Sequence, residues 1–363
     1  MPTNRWTTAS IILIYAGITI WVRNYGKDSS VETQASQAKA TNVRRDSGNT
    51  DVKILGKLPE AGEAFAIYSS TTDSGPSPRY SFYLPITALA WKRIGFRSIV
   101  VLVGDVDMWD IDKGLQYIKE LLLELKGLVM LLPTSSNRSV MVSQVSRIYA
   151  ADILHSVNPD LPDFYIVTSD SDLWPIAKDI YHLPNNKSIV SLNSECCGHF
   201  EQNGTEYKML PMSNIGMNAS MWRKVTSMRD PSSPSTSSDV INIFYKQFGD
   251  VAHQEVRKGG NLGWYMDQRM ISILISDWVK EHPDSVVYVP RNTRKDRIDR
   301  IRWNPYTLEG ITDAHLPTQA YMSGQWAKLQ NLTFLVFGEN SPEAKWCEDY
   351  YEKFKSLNQG NEW

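Results

Sequence analysis

Phe164-Tyr165-Ile166-Val167-Thr168-Ser169-Asp170-Ser171-Asp172-Leu173-Trp174-Pro175 is the stretch that decides the fold. Its first four residues form a short apolar run that ends on small polar residues. Such a run is too short for a helix and reads as a buried strand. A strand that is apolar at every position has both faces covered, as in a parallel sheet between layers of helices.

The segments before it repeat that grammar. Ala64-Phe65-Ala66-Ile67-Tyr68, Ile99-Val100-Val101-Leu102-Val103 and Leu128-Val129-Met130-Leu131-Leu132 are further buried strands. Between them, helices are expected over 82–94, 113–126 and 140–154, from apolar residues at helical spacing. Pro85 belongs in the first turn of the first helix, and Gly95 stops it. Strands alternating with amphipathic helices predict an α/β fold with a mostly parallel, Rossmann-type sheet sandwiched by helices. Ligands of such sheets bind beyond the carboxyl ends of the strands. The segments in question are Ser69–Thr72, Gly104–Asp107, Pro133–Ser136 and Thr168–Asp172. No G-x-G-x-x-G or G-x-x-x-x-G-K-[ST] follows any of them, which counts against a dinucleotide enzyme or a P-loop ATPase.

Asp170 and Asp172 are two carboxylates two residues apart at a strand end. Hard oxygen ligands in that spacing suit one Mg²⁺ or Mn²⁺ ion, which can neutralise a diphosphate leaving group. The small Ser171 leaves room for the phosphates. The pattern alone is weak, because D-x-D arises about once in a few hundred residues from ordinary composition. Asp105-Val106-Asp107 and Asp110-Ile111-Asp112 also match it.

Composition narrows the class. Net charge is −2 over 363 residues, with no long basic run. That argues against a protein that binds nucleic acid by neutralising phosphates. Aromatic residues make up 11%, with 12 Trp and 17 Tyr, which suits either a sugar-stacking pocket or an aromatic core. Residues 230–238 are a Ser/Pro-rich loop.

Ser169-Asp170-Ser171-Asp172-Leu173-Trp174-Pro175 and its depth in the chain resemble the GT-A class of glycosyltransferases. In that class the nucleotide-binding half comes first and its D-x-D follows roughly a hundred residues later. The resemblance covers about residues 53–330 and assigns no specific family. It implies Mn²⁺ or Mg²⁺ as cofactor, a nucleotide sugar as donor and a glycan, glycoprotein or glycolipid as acceptor. It implies Asp170 and Asp172 as metal ligands, with His315 of Asp313-Ala314-His315-Leu316-Pro317 as a third. Nucleotide-sugar contacts are then expected from Ser69, Arg79, Asp105, Arg147, Asp170 and Ser171. Gly259-Gly260-Asn261-Leu262-Gly263-Trp264-Tyr265-Met266-Asp267-Gln268 resembles the acceptor-side segment. It implies Asp267 as the catalytic acid or base, with Trp264 and Gln268 touching the acceptor. The alternatives are a metal-dependent hydrolase of phosphate or sugar substrates and a non-catalytic, membrane-anchored binding protein on a transferase fold.

Residues 6–22 carry no charge, and Arg5 and Arg23 flank them. The run sits at the short end of the roughly 17–25 residues that cross a bilayer. No A-x-A-like cleavage site follows it, so a retained anchor is preferred to a signal peptide. Residues 23–52 are polar and nearly free of large apolar side chains, which reads as a flexible stem. The expected layout is a cytoplasmic tail (1–5), an N-terminal transmembrane signal anchor (6–22), the stem (23–52) and a lumenal catalytic domain (53–363). Within that domain, 53–175 is the nucleotide-sugar half, 176–330 the acceptor half and 331–363 a C-terminal extension. This is the plan of a single-pass type II Golgi membrane protein, and a dimer is compatible with it. Asn137, Asn186, Asn203, Asn218 and Asn331 fit N-x-[ST]. Cys196, Cys197 and Cys347 allow one bridge from Cys347 to the adjacent pair, since a bridge between neighbours is strained.

Overall fold

The apolar runs become neighbouring strands. In this computed structural model, residues 52–72, 80–253, 262–290, 295–303 and 305–358 are described. The first half of that chain runs β1 (Lys53–Leu55), β2 (Ala64–Thr71), α1 (Leu84–Arg93), β3 (Arg97–Gly104), the one-turn α2 (Met108–Ile111), α3 (Lys113–Glu124), β4 (Leu128–Pro133), α4 (Ser136–Val157) and β5 (Tyr165–Thr168). Next come β6 (Leu173–Pro175), β7 (Ile189–Leu192), β8 (His199–Gln202), β9 (Thr205–Lys208), β10 (Ile215–Asn218), α5 (Ala219–Thr226), α6 (Ser237–Phe248) and α7 (Met266–Glu281). The chain closes with β11 (Val286–Val289), β12 (Arg297–Asp299), β13 (Asp313–His315), α8 (Ser323–Phe337) and α9 (Pro342–Leu357).

The main sheet has the order β1-β4-β3-β2-β5-β10-β7-β11. The run β4-β3-β2-β5 is parallel throughout, as is the pair β7-β11. β1 and β10 run against their neighbours, so the sheet is mixed and mostly parallel. The α/β class and the sandwiching helices agree with the sequence. Strand β1 was not foreseen, because three residues give too little periodicity to read. The expected helix over 140–154 extends at both ends to 136–157.

Alternate residues of each strand feed two cores. Phe65 and Ile67 of β2, Val101 of β3 and Ile166 of β5 pack with α4, α5, α6 and α7. Ala66 and Tyr68, Val100 and Val167 face the other way, onto α1, α3 and α9. This is the period-two division of a strand covered on both sides. Local signals fix the helix ends. Asp112 accepts hydrogen bonds from the Gly114 and Leu115 N–H groups at the start of α3, and Thr236 and Asp239 form a capping box on α6. Gly95 terminates α1 with φ of 92°.

A second, three-stranded sheet of order β12-β13-β6 stands beside the first. β13 pairs antiparallel with β6, placing His315 opposite Leu173. β12 pairs parallel with β13, placing Asp299 opposite His315. The residues just after Asp172 are thereby joined to two late segments of the chain.

The cysteine pairing departs from the expectation. Cys196 and Cys197 are bonded to each other, and Cys347 is a free, buried thiol. Cys347 lies inside the second core, which pushes its pKa up, whereas Cys196 is exposed on the loop after β7. Among the described residues no helix is long and apolar enough to cross a membrane. The expected anchor at 6–22 lies outside the described residues, as does the stem apart from Val52.

Candidate active site

β5 ends at Thr168 and the chain turns sharply through Ser169–Asp172, with the Leu173 N–H donating to the Asp170 carbonyl at 3.2 Å. Surrounding side chains pin this turn. Thr87 Oγ1 donates to the Ser171 carbonyl at 2.6 Å, and Ser171 Oγ donates to the Ser69 carbonyl at 2.5 Å. Trp91 Nε1 reaches Ser169 Oγ at 3.3 Å. Arg93 of α1 donates to the Pro175 and Ile176 carbonyls at 3.1 and 2.6 Å, fixing the far end of β6.

Two charged groups grow out of this turn. The first centres on Arg147, which α4 carries into the interior. Its Nη1 donates to Asp170 Oδ1 at 2.8 Å and to the Ser169 carbonyl at 2.7 Å. Its Nη2 donates to Asp267 Oδ2 at 2.7 Å. Arg147 is 7% exposed and the Asp267 side chain 4%, whereas 38% of the Asp170 side chain meets solvent. Burial works against the charge on Arg147, but the two carboxylates outweigh it and raise its pKa. Burial likewise pushes Asp170 up, yet the charge and hydrogen bond of Arg147, with His315 and Arg297 behind them, hold it below the ordinary carboxylate value. Asp267 goes the other way. Its deep burial exceeds the help from Arg147, and its pKa rises to about 6.

The second group centres on His315. Its Nε2 lies 3.6 Å from Asp172 Oδ1, and its Nδ1 lies 3.7 Å from Asp299 Oδ2. Arg300, just past β12, donates through Nη2 to Asp172 Oδ2 at 2.7 Å and also contacts His315 Nε2. The His315 ring facing Asp299 brings that carboxyl down to about 2. Behind them, Arg297 grips the fully buried Asp313 with two bonds, Nε to Oδ1 at 2.7 Å and Nη2 to Oδ2 at 3.0 Å. That fork locks β12 to β13 and so holds Arg300 and His315 together.

The donor chemistry suits a hard divalent ion. Asp170 keeps an oxygen with no hydrogen bond among the described residues, Asp172 is adjacent, and His315 offers a ring nitrogen. An arginine can only donate, so a neutral His315 accepting from Arg300 at Nε2 would carry its proton on Nδ1. A metal-binding imidazole needs that tautomer, with a carboxylate behind Nδ1 as Asp299 is here. The ligands are nevertheless not gathered. Among the described residues no three His, Cys, Asp or Glu side chains converge as a metal would draw them. Arg147 holds Asp170 and Arg300 holds Asp172.

Other expected site residues fall in varied places. Ser69 and Ser171 are present but engaged, Ser69 with the Ser143 carbonyl and Ser171 with the Ser69 carbonyl. Asp105 is exposed and accepts from the Asp107 N–H at 3.2 Å, bracing its own loop. Trp264 and Gln268 are half-buried at the start of α7, and the Trp264 carbonyl accepts from Gln144 Nε2 at 3.4 Å. Asp267 differs from the expectation. It faces inward onto Arg147, and its Oδ1 accepts from the Gln268 N–H at 2.7 Å. Arg79 and residues 259–261 of the glycine-rich loop lie outside the described residues. Asn137, Asn186, Asn203, Asn218 and Asn331 are all exposed.

Arg300 and Asp299 had not been singled out. Their signal was Arg297-Ile298-Asp299, an alternating pattern that puts Arg297 and Asp299 on one face, with Arg300 directly after it. It is short and offers no motif.

No protein-family model matches the chain, and no curated protein does. Among solved structures, the chain is similar to a glycosyltransferase involved in the glycosylation of the major capsid of PBCV-1. Identity is 9% and the TM-score 0.29, with 74% of this chain and 98% of that chain covered. A likeness at that score carries no argument, and the site rests on its own geometry.

Proposed function

We propose that the protein is a glycosyltransferase that takes a nucleotide-diphosphate sugar at the carboxyl end of β5 and transfers the sugar to a hydroxyl acceptor. One observation carries this reading. Asp170, Asp172, Arg147, Asp267, Arg300 and His315 come from distant parts of the chain and form two linked charge clusters at one strand end. Structural ion pairs alone do not call for the partly exposed Asp170 carboxylate at the same turn as a buried Asp172 facing a histidine.

In this reading Asp170, Asp172 and His315 hold Mn²⁺ or Mg²⁺, which supplies charge neutralisation for the departing nucleoside diphosphate. Arg147 orients Asp170, and Asp267 orients Arg147. That gives Asp267 a positioning role, in keeping with its burial. Trp264, in the turn before α7, and Gln268, on α7 beside Asp267, line the way to the acceptor. Arg300 adds positive charge where diphosphate oxygens arrive. The apolar run at 6–22 and the five exposed sequon asparagines support a type II, lumenal placement in the Golgi.

The test is a screen of UDP- and GDP-sugars for Mn²⁺-dependent nucleotide release by the full chain, with and without simple glycoside acceptors. Release stimulated by an acceptor supports transfer. Release to water alone, unaffected by any acceptor, supports the hydrolase reading instead.

A further inference from the structure

Arg300 occupies the place between Asp172 and His315 that a shared cation would take. It donates to Asp172 Oδ2 at 2.7 Å and contacts His315 Nε2, the ring nitrogen that faces Asp172. A guanidinium and a divalent ion cannot both use that nitrogen, and their like charges repel at such range. The Arg300 side chain is 17% exposed, and its Nε–H is buried with no acceptor among the described residues. A buried donor left open is one that a ligand oxygen can satisfy. Phosphate oxygens match the fork of a guanidinium better than any other common ligand.

We propose that Arg300 is the resident cation of this site, holding Asp172 and His315 closed to metal until a diphosphate draws it away, so that divalent metal and nucleoside diphosphate bind cooperatively. The inference rests on the transferase reading for its choice of ligand. The exchange leaves each anion facing a cation. Arg300 leaves a carboxylate and an imidazole for phosphate oxygens, and the metal takes over the groups it leaves. Linkage requires the coupling to be mutual, so metal tightens diphosphate by the same factor as diphosphate tightens metal.

The experiment is equilibrium dialysis of Mn²⁺ against the full chain, with protein-bound metal counted after subtracting the Mn²⁺–diphosphate complex formed in protein-free controls, alone and with UDP, GDP or inorganic pyrophosphate. In the wild type, Mn²⁺ alone binds weakly, and at least one of these diphosphates tightens it about 10-fold or more, within the usual range of coupling between sites. Arg300→Ala and the closer isostere Arg300→Gln tighten Mn²⁺ in the absence of diphosphate by a similar factor and lose most of the coupling. Asp172→Asn abolishes Mn²⁺ binding in every background. A merely structural arginine gives the reverse, with metal affinity unchanged or weakened in both Arg300 variants. That result overturns the proposal, as does a wild type in which none of the three diphosphates alters Mn²⁺ affinity. None of these readouts uses sugar transfer. Coupling without any transfer activity therefore overturns the transferase reading alone, and transfer without coupling overturns the Arg300 proposal alone.

Discussion

Arg147 of α4 and Asp267 of α7 are 120 residues apart in sequence and meet at 2.7 Å in the interior. Each is nearly excluded from water, so each depends on the other for compensation of its charge.

Removing one partner of such a pair strands the other. Arg147→Ala is expected to destabilise the protein by about 3–5 kcal/mol, read as a drop in the urea midpoint at constant slope. Arg147→Met combined with Asp267→Leu removes both charges and recovers most of that loss, while Asp170 remains unoriented and activity stays low. An Arg147→Ala protein as stable as the wild type would show the pair to be energetically idle.

The pKa of Asp267, raised from 3.8 to about 6, predicts a pH dependence with a definite sign. Below about 6 the carboxyl is protonated, loses its charge and releases Arg147, so activity rises with pH through an apparent pKa near 6. Stability moves the opposite way. Between about 4 and 6 the folded state holds a proton that the unfolded state has lost, so this group's contribution to stability falls as pH rises. Comparing the wild type with Asp267→Asn isolates both effects, since the variant has neither the activity limb nor that slope.

Arg297 and Asp313 hold the small sheet together. Arg297→Met leaves Asp313, fully buried, without its main cation. A loss of about 3 kcal/mol or more in stability is expected. Because the pair also sets β12 against β13, the KM for the sugar nucleotide should rise more than kcat falls. An unchanged KM would show that Arg300 and His315 keep their places without the fork.

Gly216 tests the sheet away from the chemistry. A Cβ there would lie 1.7 Å from the Tyr165 hydroxyl and 2.8 Å from a Val190 methyl. Tyr165 is held in turn by its bond to the Tyr181 carbonyl at 2.8 Å. Gly216→Ala should cost about 1–3 kcal/mol through overpacking between β10 and its neighbours β5 and β7. The thermal midpoint reads this directly.

Much of the fold was legible in the sequence, and the reasons are local. The apolar runs of β2, β3, β4 and β5 identify themselves, as do the amphipathic helices between them, because burial on both faces leaves an uninterrupted signal. The pairing of β10 between β5 and β7 was not legible, since pairing is a long-range choice that four-residue strands do not record. Asp170, Asp172 and His315 were found through a short motif and a resemblance. Arg300 escaped because its partner Asp172 is 128 residues away, and only the β12-β13-β6 register brings them together. The inward turn of Asp267 escaped for a related reason. A carboxylate in the first turn of a helix reads the same whether it faces solvent or a buried arginine.

In the proposed reaction the sugar nucleotide is cleaved at the turn after β5. The most direct measurement is Mn²⁺-dependent nucleotide release from UDP- and GDP-sugars by the full chain, wild type against the Asp170→Ala/Asp172→Ala double variant. The account predicts turnover in the wild type and a loss of about 10²-fold or more in the double variant, with the fold retained by circular dichroism. Release at the wild-type rate from the double variant would contradict it.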